Sequence, residues 1–163
     1  MTTRLRIGHG FDVHPFSDDD ARALVLGGVV FEGERGLVGH SDSDVIAHAV
    51  SDALLGAAGL GDIGRLFPDT DPALAGADSI ALLADIAGRL AAAGFTPVNV
   101  DCTVVLEAPK LAPHRDGMQS KLSAAAGCDV TVKGKRAERL GALGRGEGIA
   151  CFAVALVERS ERA

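Results

Sequence analysis

The segment Ile149–Val157 constrains the fold more than any other part of this chain. At a period of two, Ile149, Cys151, Ala153, Ala155 and Val157 point one way, and Ala150, Phe152, Val154 and Leu156 the other. Both faces are apolar, so a strand here needs cover on both sides. Helices can cover one face. The other requires further helices or, in a chain of 163 residues, neighbouring subunits, which makes a homo-oligomer the expected assembly. With 47% hydrophobic residues, a chain of this length closes one core more readily than two, and a single domain over residues 1–163 is expected.

The remaining pattern fits helices laid on a mixed sheet. Leu5, Ile7, His9, Phe11 and Val13 alternate with Arg6, Gly8, Gly10, Asp12 and His14, which predicts a strand with Asp12 and His14 on one face and His9 on its apolar side as a structural residue. Leu24–Leu26 and Val29–Phe31 flank Gly27-Gly28, a hairpin signal. Ser41, with Asp44 three residues on, predicts a capped helix running to about Gly56. A second helix is expected from Asp78 or Ser79 to before Gly94, and a third from Pro109 to before Gly127. Val98 to Leu106 and Val130 to Lys133 read as strands, and Glu138 to Leu143 as a short helix. The fold class is therefore a single α/β domain with a mixed sheet.

Composition excludes several functions. A net charge of −6, from 16 basic and 22 acidic side chains, offers no excess cation for a nucleic-acid backbone or an anionic membrane. No apolar run reaches membrane-spanning length. Cys102, Cys128 and Cys151 are odd in number and set among small or apolar neighbours, as reduced thiols are, and no signal segment opens the chain, so a cytoplasmic location is expected.

Asp12 and His14 offer a carboxylate oxygen and an imidazole nitrogen from one strand face, and His48 lies one helical turn beyond Asp44. Together they make three zinc-type ligands with a fourth position open, as in catalytic sites. By spacing alone, a surface turn or a hydrogen-bonded core histidine explains an Asp-x-His pair as well. His40-Ser41-Asp42 sits at a predicted helix start, where free amides favour phosphate, although capping alone accounts for Ser41. Gly59 to Gly64 matches a dinucleotide glycine pattern but follows a helix, so that reading fails. The turn-rich Arg65 to Pro72 and the glycine-flanked Arg145 and Glu147 admit binding or plain turn formation. No nucleophile motif is visible, and chemistry in which substrate attacks substrate is the easier fit.

Taken jointly, Gly8-His9-Gly10-Phe11-Asp12-Val13-His14, His40-Ser41-Asp42 through His48, Gly61-Asp62-Ile63-Gly64, Phe67-Pro68-Asp69-Thr70-Asp71, Ala108-Pro109-Lys110 and Gly144 to Ala150 resemble the 2-C-methyl-D-erythritol 2,4-cyclodiphosphate synthase family, in family order and over nearly the whole chain. The resemblance implies a lyase of isoprenoid (terpenoid) precursor synthesis that closes a cyclic diphosphate and releases CMP. It implies a homotrimer with sheets facing each other and active sites between subunits. Zinc would be held by Asp12, His14 and His48, and Mg²⁺ or Mn²⁺ on the substrate diphosphate by Glu138. His40, Arg136 and Glu138 are the implied catalytic residues. Asp12, His14, His40 and Ser41 would meet the phosphates. Asp62, Ile63, Gly64, Phe67, Pro68, Asp69, Thr70 and Asp71 would line the methylerythritol side. Leu106, Glu107, Ala108, Pro109, Lys110, Leu111 and Ala112 would hold the cytidine end, with Lys135, Arg136, Ala137 and Glu138 along the diphosphate and Arg145 near the trimer axis. Association with neighbouring pathway enzymes is left open.

One departure stands out. Where the family usually carries a threonine run, this chain reads Lys135-Arg136-Ala137 ahead of Glu138, and Ala142-Leu143 replace the usual aromatic residue. Two cations could stabilise the same phosphate oxygens by charge, or stay solvated. A non-catalytic nucleotide or prenyl-diphosphate binding homologue is the rival reading.

Overall fold

The computed structural model describes residues 4–160. In chain order these form β1 (Leu5–Pro15), β2 (Leu24–Leu26), β3 (Val29–Phe31), α1 (Val45–Ala58), α2 (Ile63–Leu66), a 3₁₀ turn (Pro72–Leu74), α3 (Ser79–Ala92), β4 (Phe95–Val105), a second 3₁₀ turn (Ala112–His114), α4 (Arg115–Ala126), β5 (Asp129–Lys135), α5 (Gly141–Gly144) and β6 (Gly148–Arg159). Four strands make one mixed sheet in the order β1-β6-β4-β5: β6 runs antiparallel to β1 and β4, and β4 and β5 are parallel. The small β2–β3 hairpin stands apart from it.

Helices α1, α3 and α4 pack on one face of this sheet, and the core lies between. There the inward set of β6, Ile149, Cys151, Ala153, Ala155 and Val157, is wholly buried against Leu54, Leu83, Leu90 and Leu122. On the opposite face, Thr131 and Lys133 pair with Asp101 on the β4–β5 half, while the β1–β6 half is apolar and open. Phe11 and Phe152 meet there with ring centroids 4.9 Å apart, yet each is more than 40% exposed, and Ile7 is 75% exposed.

β1 lies the other way round from the simplest reading of its pattern. Leu5, Ile7, Phe11 and Val13 form the open face, and His9, expected on the apolar side as a structural residue, lies exposed with them, its ring 6.3 Å from that of Phe152. The glycine side meets the helix instead. A Cβ on Gly8 would collide with the carbonyl of Ala53, and one on Gly10 with that of Ala49. The missing side chains let α1 lie directly on the strand backbone.

Helix boundaries also shift. α1 is capped by Asp44 rather than Ser41 and continues to Ala58, where Gly59 adopts the left-handed conformation that ends it. The third helix starts at Arg115, after a 3₁₀ turn, because Pro113 interrupts the expected run from Pro109. The short helix expected at Glu138 begins at Gly141, since Glu138 and Arg139 take positive φ values of 53° and 62°.

Candidate active site

The site begins with a carboxylate that fastens two elements. Asp44, fully buried, accepts from Gly27 N (2.9 Å) and Gly28 N (2.6 Å) in the hairpin and from Ile46 N and Ala47 N (both 3.1 Å) at the start of α1. Burial pushes its carboxyl above the usual carboxylate range, against the pull of those amides. With α1 anchored in this way, its first turn aims His48 at the end of β1.

Asp12, His14 and His48 meet there. Asp12 Oδ2 lies 2.9 Å from His14 Nε2 and 3.0 Å from His48 Nδ1, and one ligand atom from each residue falls within a 4.8 Å group. The outer nitrogens are occupied. His14 Nδ1 stands 2.6 Å from the Val38 carbonyl, which can only accept, so the ring carries its proton on that side. His48 Nε2 lies 2.9 Å from Ser79 Oγ, whose own proton goes to Asp42 Oδ1 in a short hydrogen bond, so His48 donates to the serine. Ser41 Oγ, at 3.2 Å, is a further partner of the same nitrogen.

With both rings donating outward, two lone pairs and a carboxylate oxygen face one point. Three acceptors this close repel unless a proton or a cation lies among them. Protein residues that take the outer N–H of each histidine are the arrangement that fixes metal ligands. An oxygen and two imidazole nitrogens suit zinc and similar divalent ions. The electrostatics agree with this. Burial raises Asp12, but the His14 and His48 contacts outweigh it and hold the carboxyl far below its usual range. Burial likewise lowers His14, and the Asp12 contact more than reverses that, so the ring holds a proton more firmly than usual when no metal replaces it.

A cavity of about 220 Å³ opens beside this group, lined by His14, His40, Ser41, His48, Ile63, Gly64, Phe67 and Asp69 among others. His40 Nε2 lies 2.7 Å from the Asp71 carbonyl, which ties the 40–44 loop to the 67–71 loop. Asp52 accepts from Ile63 N at 2.7 Å and moors α2 to α1, while Asp62 caps α2 through Arg65 N at 2.9 Å. Burial pushes the Asp52 carboxyl up. Of the residues expected around the methylerythritol portion, Asp62 caps α2 and Pro68, Thr70 and Asp71 lie on the 67–71 loop, all outside the cavity lining.

A second cavity of about 200 Å³ shares no lining residue with the first. Leu106, Glu107, Pro109, Lys110, Leu111 and Ala112 line it with Gly134, Lys135 and Arg136. Arg115, which the sequence did not single out, adds a fourth cation to its wall. Ala108 precedes Pro109 through a cis peptide bond. Ala137 and exposed Glu138 follow on the turn after β5, and Glu138 is not part of the Asp12-His14-His48 group. Arg145 is exposed and paired with Glu147 at 2.5 Å.

Ser79 was legible only as a helix start, Asp42 only as part of a motif, and Arg22 and Asp52 gave no signal. Each acts through a partner distant in sequence, which no local pattern reveals.

Comparison with known proteins agrees over the full length. The YgbB family model matches residues 5–158. The 2-C-methyl-D-erythritol 2,4-cyclodiphosphate synthase of Yersinia enterocolitica is 53% identical over 162 residues, covering 98% of this chain and 100% of its own. The same-named protein of Aromatoleum aromaticum is 56% identical, covering 98% and 97%. Among solved structures, the IspF CDP complex of Plasmodium falciparum superposes with a TM-score of 0.83 at 32% identity, covering 99% of this chain and 100% of that one. The bifunctional IspDF of Campylobacter jejuni superposes with a TM-score of 0.91 at 39% identity, and 98% of this chain matches 44% of that longer one.

Proposed function

The chain belongs to the YgbB family, and on that premise we propose that it converts 4-diphosphocytidyl-2-C-methyl-D-erythritol 2-phosphate to 2-C-methyl-D-erythritol 2,4-cyclodiphosphate and CMP. The observation that carries this reading is the convergence of Asp12, His14 and His48 on one point beside an open cavity, in a chain more than half identical to named synthases. An oxygen of the 2-phosphate attacks the β-phosphorus, the bond from that phosphorus to the bridging oxygen breaks, and CMP leaves with the electron pair. Attacking and leaving groups belong to one substrate, so the protein supplies position and charge rather than a nucleophile.

We assign zinc to Asp12, His14 and His48, and Mg²⁺ or Mn²⁺ to the substrate diphosphate with Glu138. Bound there, divalent cations neutralise the charge that builds on the phosphate oxygens. His40, held by the Asp71 carbonyl, would steady the reacting phosphates with Ser41. Ile63, Gly64, Phe67 and Asp69, which share the first cavity, would take the methylerythritol portion, with Asp62, Pro68, Thr70 and Asp71 bracing it. The second cavity, from Leu106 to Ala112, would take the cytidine end, and Lys135 and Arg136 would offer charge where family members offer hydroxyls.

A homotrimer reconciles two features. The apolar face carrying Phe11, Val13, Phe152 and Val154 has no cover among the described residues, and three such faces packed together would bury it. The two cavities would then complete one site from adjacent subunits, with Arg145 near the axis. The non-catalytic rival keeps the same ligand group, and it is the relatives named as synthases, at more than half identity, that give it less support.

³¹P NMR of the purified protein with zinc, Mg²⁺ and substrate tests the reading. Joint appearance of CMP and the cyclic diphosphate is the expected result. Unchanged substrate with full metal occupancy would sink it and point to Lys135-Arg136-Ala137.

A further inference from the structure

Arg22 lies outside every motif, at the end of the loop that leads into β2. Its guanidinium nevertheless reaches across to the loop between β3 and α1. Nε donates to the Leu37 carbonyl in a short hydrogen bond, and Nη2 donates to the Ser41 carbonyl at 2.6 Å and to Ser43 Oγ at 2.7 Å. The partners are two carbonyls and a hydroxyl, with no carboxylate among them. The fork therefore spans the 37–43 loop from one end to the other.

That loop supplies the outer partner of His14 and the farther of the two outer partners of His48, the nearer being Ser79 Oγ. The Val38 carbonyl takes the His14 Nδ1 proton at 2.6 Å, and Ser41 Oγ sits 3.2 Å from His48 Nε2. The loop is also conformationally costly. Ser43 is buried with φ at +60°, a region that disfavours a side chain, and Gly39 lies so close to it that a Cβ would strike Ser43 Oγ. A backbone bond from Val38 N to Pro15 O at 2.9 Å ties its first half to the end of β1, and one from Ser17 N to Gly36 O at 2.7 Å holds the residue just before it. At Ser41 and Ser43, the Arg22 fork joins that half to the strained half.

We propose that Arg22 is a positioning residue: by clamping the 37–43 loop it sets the acceptors that orient His14 and His48 for metal binding. The proposal rests on the metal reading given above. The role is geometric. A fixed positive charge near His14 works against a second cation there, so any benefit comes from the fork and its three bonds. Lysine keeps the charge and loses the fork, which makes Arg22→Lys the informative variant beside Arg22→Ala.

The experiment compares parent, R22K and R22A in three readouts: Co²⁺ affinity by chelator competition with the visible Co²⁺ spectrum, amide hydrogen exchange of residues 37–43 in metal-free protein, and thermal unfolding of that same metal-free protein. The expected result is Co²⁺ binding weakened by ~10- to 100-fold in R22K and R22A, the range that outer-partner changes cost. An altered spectrum and faster exchange confined to the loop should accompany it, with the unfolding temperature of R22K close to the parent's. R22K matching the parent in both affinity and loop exchange overturns the proposal, whether or not R22A folds. A parent that binds no Co²⁺ would instead sink the metal reading, and loop exchange would still report on the clamp.

Discussion

Asp12 Oδ2 and His48 Nδ1 lie 3.0 Å apart although 36 residues separate them in the chain. Two separate constraints bring them together: the Asp44 cap sets where α1 begins, and the glycines of β1 set how near it lies. If this pair holds a metal, replacing either member should remove it. His48→Ala is expected to lose bound zinc and to lower turnover by more than the ~100-fold that outer-partner changes cost, while the fold persists. Elemental analysis beside circular dichroism checks this, and full zinc content in a folded variant would take His48 out of the ligand set.

Asp44→Ala should be among the most damaging single changes in the chain. It strands four backbone N–H groups, two in the hairpin and two in α1, at a fully buried position. The expected loss is about 3–5 kcal/mol, read from urea unfolding midpoints. Asp44→Asn, which keeps one acceptor oxygen, should lose less.

Glycine-to-alanine changes should divide by environment. Gly10→Ala drives a methyl into the Ala49 carbonyl, and neither backbone can yield, so a loss of at least ~3 kcal/mol or failure to fold is expected. Gly88, exposed in the middle of α3 with open space around it, should gain ~0.5–1 kcal/mol as alanine. Thermal unfolding of the two variants gives the comparison, and equal effects would mean that β1 and α1 are not in backbone contact.

Burial pushes the half-buried Cys128 thiol up to about 11, with nearby Asp129 adding to the effect. At pH 8 its thiolate fraction is then ~10⁻³, so alkylation should run ~100-fold slower than for a thiol at the reference value of 9.0. The folded value is the higher one. Its contribution to stability is therefore fully present below pH 9 and is lost as pH rises through about 11. Mass-spectrometric alkylation rates from pH 8 to 11 report it, and rapid labelling at pH 8 would contradict it.

Local sequence determined a good deal here. The alternation in β6, the Gly27-Gly28 hairpin and the periodic run of α3 each rest on interactions between near neighbours, and all three stand where the pattern put them. The placing of Asp12 and His14 on one strand face follows from the same period of two. What the pattern of β1 left undecided was which face turns inward, because a glycine face reads as weakly apolar until a helix lies against it. Only the tertiary structure chose the buried side, since the contact is between the backbones of β1 and α1 rather than between side chains. Only tertiary structure, too, made Asp44 the cap, delivered the outer partners of His14 and His48 from Val38 and Ser79, and brought Arg22 onto the 37–43 loop. Those bonds join residues up to 31 positions apart, and their energies depend on distance in space, which no local period encodes.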